Sequence, residues 1–336
     1  MWTEGRVRIV DIAEELGVST ATVSNVIHGK TKKISAKTVK RVQEKLEERG
    51  YIPNMAATLL AQNNSRIIGV VIKDHEKYEG QLLTDPFVAS SLNYLADEID
   101  RSGYFMMVKK AKNIMEAVRF ASMWNMVGMV ILSFCADEYQ QLRSQIHIPF
   151  VVYDGCFENE GRICNIQIDD RDGGRQVGEH LRELGHRRVL CVSDNRECMD
   201  LQRYRGLCQG LGFEADLLEI PMLKKMRDAF YQDKLPYLRQ YSAVFAVSDY
   251  YAVDLMRFLQ GARVRLPEEM SIAGFDDSAL CGQVVPALTS VRQDGARRAH
   301  MALRLLERMG KEPDFFGNFL VSVRLVPRDS TRRLCD

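Results

Sequence analysis

Residues 17–29 read GVSTATVSNVIHG. Val23, Val26 and Ile27 recur at the three- and four-residue spacing of one helix face, which leaves Thr20, Ala21, Ser24 and Asn25 on the other. Side chains this short let a helix approach a second surface closely. Hydroxyls bond phosphate oxygens, and an Asn amide pairs with an adenine edge in a major groove. Lys30, Lys32, Lys33, Lys37, Lys40 and Arg41 follow, cations suited to neutralising a phosphate backbone. A second set of polar residues sits directly after apolar runs: Asp154 after PFVVY, Ser248 and Asp249 after AVFAV, Asp276 after SIAGF. Asp85 and Phe87 lie in TDPF, and Arg203 opens RYRG. Carboxylates and a forked guanidinium hold vicinal hydroxyls or a carboxylate bidentately. Ser and Asp at such places are also the residues that cap helices, so both uses stand open for Asp249, Asp276 and Asp277.

The elements that position the first set are short. Ile9, Ile12, Ala13 and Leu16 mark one amphipathic helix, and Gly17 supplies a left-handed end. Ser19 caps the second helix and Gly29 ends it. A third starts at Ser35, turns Val39, Val42 and Leu46 inward, and stops at Gly50. Two helices on a tight turn braced by a third make a helix-turn-helix unit. Pro53 ends that unit. Asn54 can cap a short helix over residues 55–61, too brief to be stable alone. From residue 66 on, apolar runs at 67–72, 105–108, 129–132, 150–153, 189–192, 244–247 and 271–275 alternate with amphipathic stretches such as 88–101 and 175–184. Buried parallel strands separated by helices predict a doubly wound α/β architecture, and the stretch is too long for a single sheet.

Charge is unevenly spread. Residues 1–66 hold eleven Lys/Arg against seven Asp/Glu in a chain whose net charge is +1, so a basic head precedes a slightly acidic body, as expected of a chain that meets a polyanion at one end. No eighteen-residue apolar run predicts a membrane span. The first residues resemble no secretory signal, so a cytoplasmic protein is expected. The eight cysteines form no C-x-x-C pair, which predicts free, mostly buried thiols. The glycines between Gly206 and Gly212 do not fit G-x-G-x-x-G after a strand. His147, His180 and His186 read as surface or capping residues, and no nucleophile–base pair is evident. Neither an enzyme nor a metal or cofactor site is expected.

The stretches VRIVDIAEELGVSTATVSNVIHG and ISAKTVKRVQEKLEERGYIPNMAATLLA carry D-I-A-x-x-x-G-V-S-x-x-T-V-S and Y-x-P-N. They closely resemble the headpiece of the lac repressor-like (LacI/GalR) family of bacterial transcriptional regulators. DDRDGGRQVGEHLRELGHRRV, SIAGFDDSAL and PALTSVRQD resemble that family's effector-binding core, shared with periplasmic sugar-binding proteins. The resemblance spans essentially the whole chain. It implies an N-terminal helix-turn-helix headpiece (residues 1–52), a hinge helix and linker (53–65), and a two-lobed doubly wound α/β, periplasmic-binding-protein-like effector domain (66–336). Lobe 1 would span about 66–166 and 292–321, lobe 2 about 167–291 and 322–334, with crossings near 167, 291 and 321. It further implies base reading by Thr20, Ala21 and Asn25, and phosphate contacts by Arg8, Ser19, Thr22, Ser24, Lys33, Ser35 and Thr38. Asn54, Ala57 and Leu60 fall on the minor-groove hinge, with Leu60 as an apolar wedge. Asp85, Phe87, Asp154, Arg203, Ser248, Asp249 and Asp276 fall in the effector cleft.

The pattern also departs from the family. Asn25 stands where many members carry Arg, and Arg8 where a capping Thr is common. Ser248 replaces a common Asn. Pro221, Met222 and Gly295 stand where aromatic residues occur, which widens the effector from a sugar to other polar metabolites. The resemblance implies a homodimer, paired in part through residues 177–184, on a palindromic duplex operator. The last residues carry no leucine heptads. A solute-binding receptor without a DNA role is the alternative reading.

Overall fold

A computed structural model describes residues 7–52, 65–134, 136–155 and 163–334. Asn54, Ala57, Leu60 and the expected hinge helix lie outside the described residues, as do Cys135, Cys156 and Cys335. Residues 1–64 and 65–336 form separate compact units.

In the first unit, α1 (Ile9–Leu16), α2 (Thr20–Ile27) and α3 (Ala36–Glu48) close around Ile12, Ala13, Val23, Val26 and Val42, all buried. Gly17 ends α1 at φ +66°, and the next N–H, of Val18, donates back to the Ala13 carbonyl at 3.0 Å. A side chain at that φ is disfavoured, which is why the turn takes glycine. Ser19 Oγ accepts from the Thr22 N–H at 3.1 Å and Ser35 Oγ from the Thr38 N–H at 3.2 Å. These caps fix the starts of α2 and α3.

The second unit holds two six-stranded sheets. The first runs β11 (Gly317–Val321), β5 (Cys164–Ile168), β4 (Phe150–Tyr153), β3 (Gly128–Leu132), β1 (Ile67–Lys73), β2 (Phe105–Ala111), all parallel. The second runs β12 (Val323–Val326), β10 (Thr289–Gln293), β9 (Ser271–Asp276), β8 (Ala243–Ala246), β6 (Val189–Ser193), β7 (Asp216–Glu219), with only β12 antiparallel. The chain passes between the sheets after Ile168, after Gln293 and at Ser322. β3, β4 and β8 are buried along their whole length, as strands covered on both faces must be. The strands absent from the apolar runs are polar or one-sided. β5 carries Asn165 and Gln167, and β11 alternates exposed and covered residues at a sheet edge.

Helices α4 (Pro86–Arg101), α5 (Ile114–Met123), α6 (Ala136–Gln145) and α11 (Gly295–Lys311) serve the first sheet. Helices α7 (Asp170–Glu183), α8 (Cys198–Leu211), α9 (Lys224–Leu238) and α10 (Asp249–Gly261) serve the second. α7 and α8 touch backbone to backbone: a Cβ at Gly206 would lie 2.0 Å from the Arg171 carbonyl oxygen, and one at Gly174 2.0 Å from that of Arg203. Of the helix expected to pair protomers, Val177, Gly178 and Leu181 are buried within the chain itself. His186 is likewise no surface residue. It is fully buried, bonded to Ser242 Oγ at 2.9 Å and to the Arg332 carbonyl at 3.1 Å, because the C-terminal tail folds over it. The described cysteines are free: Cys164, Cys191 and Cys281 buried, Cys198 exposed. Among the described residues no helix is long and apolar enough to cross a membrane, and none of their His, Cys, Asp and Glu side chains cluster as a metal site would require.

Candidate nucleic-acid interface and ligand cavity

With Val23 and Val26 buried, α2 presents Thr20, Ala21 and Asn25 to the outside, with Ser24 half-covered. Ser19 Oγ and Thr22 Oγ1 lie 2.8 Å apart at one helix start, Ser35 Oγ and Thr38 Oγ1 2.8 Å apart at another. Each pair sits at the first turn of a helix, where negative charge is favoured. Arg8 does not extend freely. Its backbone N–H donates to Asp11 Oδ2 at 2.8 Å and its guanidinium to Asp11 Oδ1 at 3.1 Å, which offsets a cation at the N-terminus of α1. Hydrogen bonds from Arg8 also hold the Asp11 carboxyl below the usual range. Lys30, Lys32, Lys33 and Lys37 are exposed, and none takes part in the ion pairs found among the described residues. Farther along α3 the cations are paired: Lys45 with Glu48 at 2.7 Å and Arg49 with Glu15 at 3.2 Å.

In the larger unit a cavity of about 280 Å³ opens where strands of both sheets end, the usual place for a ligand in open α/β sheets. Tyr153 ends β4, Asp276 ends β9 and Gln293 ends β10; Phe87 and Tyr94 come from α4, and Arg298 from α11. Asp276 has φ +115° and Asp277 φ +49°, so the turn after β9 is strained. It is held from several sides. Asp277 bonds Arg292, and Arg328 at 2.5 Å, and its N–H donates to Ser290 Oγ at 3.0 Å. Gln293 Nε2 donates to Asp276 Oδ1 at 2.6 Å. Burial pushes the Asp276 carboxyl well above the usual range, against the pull of Arg203.

Of the seven residues expected in the cleft, Phe87 and Asp276 line this cavity. Asp154 stands behind it and pairs with Arg298 at 2.6 Å. Asp85 caps α4, accepting from the Val88 N–H at 3.0 Å, and Ser248 caps α10, accepting from the Tyr251 N–H at 3.3 Å. Arg203 is buried in the second sheet's layer. Its Nε donates to Asp170 at 2.7 Å and its Nη1 to the Val247 carbonyl at 2.6 Å, and its plane lies 3.8 Å from the Phe275 ring centre. Burial raises the Asp170 carboxyl in spite of that pairing. Asp249 is wholly buried beneath the Asp276 turn, where it accepts from the Ser278 N–H at 2.7 Å, Ser290 Oγ at 2.5 Å and Cys281 Sγ at 3.1 Å. It orients the turn and does not line the cavity. Tyr153, Arg298 and Gln293 were not among the expected residues. Tyr153 and Gln293 are the last residues of their strands, so the rule that selected Asp154 would have found them one residue earlier. Arg298 gives no such signal, since its partner is distant in sequence.

A helix-turn-helix unit followed by a two-sheet body with a cavity at its strand ends defines a DNA-binding transcriptional regulator with a ligand-responsive body. Comparison with known proteins agrees. Residues 8–54 match the model of bacterial regulatory proteins of the lacI family, and residues 179–331 that of the periplasmic binding protein-like domain. The chain is 26% identical over 337 residues to the HTH-type transcriptional regulator CelR of Thermobifida fusca, covering 95% of this chain and 96% of that one. Its fold is that of the lac repressor dimer bound to operator and the anti-inducer ONPF (TM-score 0.81, 24% identity, 97% of this chain and 99% of that one). The CelR–cellobiose complex gives a TM-score of 0.70 at 23% identity, covering 97% and 100%. The chain carries the lacI-family domain at its N-terminal end and is similar over 95% of its length to a transcriptional regulator.

Proposed function

We propose that the protein is a cytoplasmic homodimeric repressor that acts by binding and not by chemical turnover. It grips a palindromic operator through two headpieces, and a small polar molecule such as a sugar sets that grip from the body cavity. One observation carries the reading: α2 buries Val23 and Val26 and turns Thr20, Ala21 and Asn25 outward, and the exposed Lys30, Lys32, Lys33 and Lys37 that follow take part in no ion pair found among the described residues. In this reading those three side chains meet base edges, while Arg8, Ser19, Thr22, Ser24, Lys33, Ser35 and Thr38 hold phosphates. Asn54, Ala57 and Leu60 enter the minor groove. The operator-bound lac repressor dimer and the cellobiose-bound CelR, alike in fold, support an operator and a sugar-class effector here.

Phe87 and Asp276 contact the effector directly, and Asp154 contacts it through or beside Arg298. Asp85, Arg203, Ser248 and Asp249 shape the walls. An effector shifts operator affinity only by its differential affinity for two arrangements of the body. The test is a thermal-shift screen of sugars, nucleobases and small acids, since a ligand that binds the fold raises its melting temperature. Operator affinity is then titrated with each compound that binds. A compound that fills the cavity and changes operator affinity supports the reading, and an operator affinity indifferent to every bound compound contradicts it.

A further inference from the structure

α4 lines the cavity with Phe87, Ser90, Ser91 and Tyr94, offsets of three, four and seven that fall on one helix face. The far end of this stripe meets the first residue of α11. A Cβ at Gly295 would lie 2.3 and 2.4 Å from two carbons of the Tyr94 ring, so the ring rests against bare backbone. Tyr94 nevertheless keeps 40% of its surface exposed, so part of this wall stays open. The two ends of the cavity differ in chemistry. At the inner end Tyr153 Oη and Arg298 Nε are buried without hydrogen-bond partners among the described residues, as is Asp154 Oδ1 just behind them. Buried polar atoms left single are costly, and Tyr153 and Arg298, which line the cavity, bring a hydroxyl and a guanidinium to this end of it. At the outer end the charged residues are spent on one another: the Asp277 carboxylate bonds both Arg292 and Arg328.

We propose that Tyr94 is a specificity-determining wall of this cavity. The effector it selects is amphipathic, with a hydroxyl- or amide-bearing end against Tyr153 and Arg298 and an apolar or aromatic group over the Tyr94 ring. The assignment rests on reading the cavity as the effector site. Packing a ring against an aromatic side chain adds about 0.5–1.5 kcal/mol beyond area burial, which is about two- to twelvefold in affinity.

The experiment is calorimetric titration of the full chain with matched probes: D-glucose and phenyl β-D-glucoside, D-galactose and phenyl β-D-galactoside, D-ribose and adenosine. In at least one pair the ring-bearing member binds about two- to twelvefold more tightly. Tyr94→Ala removes that margin and leaves the plain sugar unchanged, and Tyr94→Phe keeps it. Gly295→Ala, which displaces the ring without deleting it, removes the margin too. A plain sugar that binds as tightly as its ring-bearing partner, a margin that survives Tyr94→Ala, or no binding by any ring-bearing probe each overturns the assignment. Operator binding by the same preparations is measured alongside, so the regulator reading stands or falls separately.

Discussion

Asp276 shows how one residue is fixed by its surroundings. Burial raises its carboxyl well above the usual range; Asp249 and Asp85 add to the rise, while Arg203 and the Gln293 amide oppose it. A carboxyl raised in the folded state contributes stability that is full below the unfolded pKa and is lost as pH rises through the folded value. Asp276→Asn is therefore expected to gain melting temperature relative to wild type at pH 8 and to lose that advantage near pH 4. An advantage that is larger at pH 4 would contradict this. Asn25 belongs to the same scale. Its amide is exposed on α2, and Asn25→Ala is expected to cost about 1–3 kcal/mol at one operator base pair. Anisotropy titrations across operator variants would show relaxed preference at that position alone. At this scale the cavity was only partly legible in the sequence. A carboxylate or hydroxyl after a strand looks the same whether it meets a ligand, as the lining residue Asp276 is placed to do, or caps a helix, as Ser248 does. Arg298 reaches Asp154 across 144 residues, a juxtaposition no local pattern announces.

Elements were easier to read where period and punctuation agree. Gly17, Ser19, Ser35 and Gly50 bracket α1 to α3 much as their residue types require. β5 and β11 escaped because polar or edge strands give no apolar run. Two predictions belong here. The α7–α8 seam leaves no room for a methyl group at Gly206, and overpacking typically costs about 1–3 kcal/mol. Gly206→Ala is thus expected to lower the thermal midpoint clearly, whereas Gly261→Ala, with nothing within 4 Å of its Cβ, should change it little. Equal effects would rule out the close approach of the two helices. The loop between α2 and α3 carries Lys30, Lys32 and Lys33, exposed and outside the ion pairs of the described residues. Replacing all three with Gln should flatten the plot of log affinity against log salt by about 0.9 for each phosphate no longer neutralised. An unchanged slope would mean that they face solvent in the complex.

For the whole molecule, the central claim is that the headpiece reads base sequence and the body tunes that reading. Protein two-fold symmetry would appear in the DNA as an inverted repeat. The most direct measurement is selection of bound duplexes from a random library by the intact protein, repeated with an intact variant in which Thr20, Ala21 and Asn25 are all changed. The wild type is expected to enrich a near-palindromic sequence, and the variant to lose it or replace it with another. No enrichment, or the same sequence recovered by both proteins, would contradict the claim.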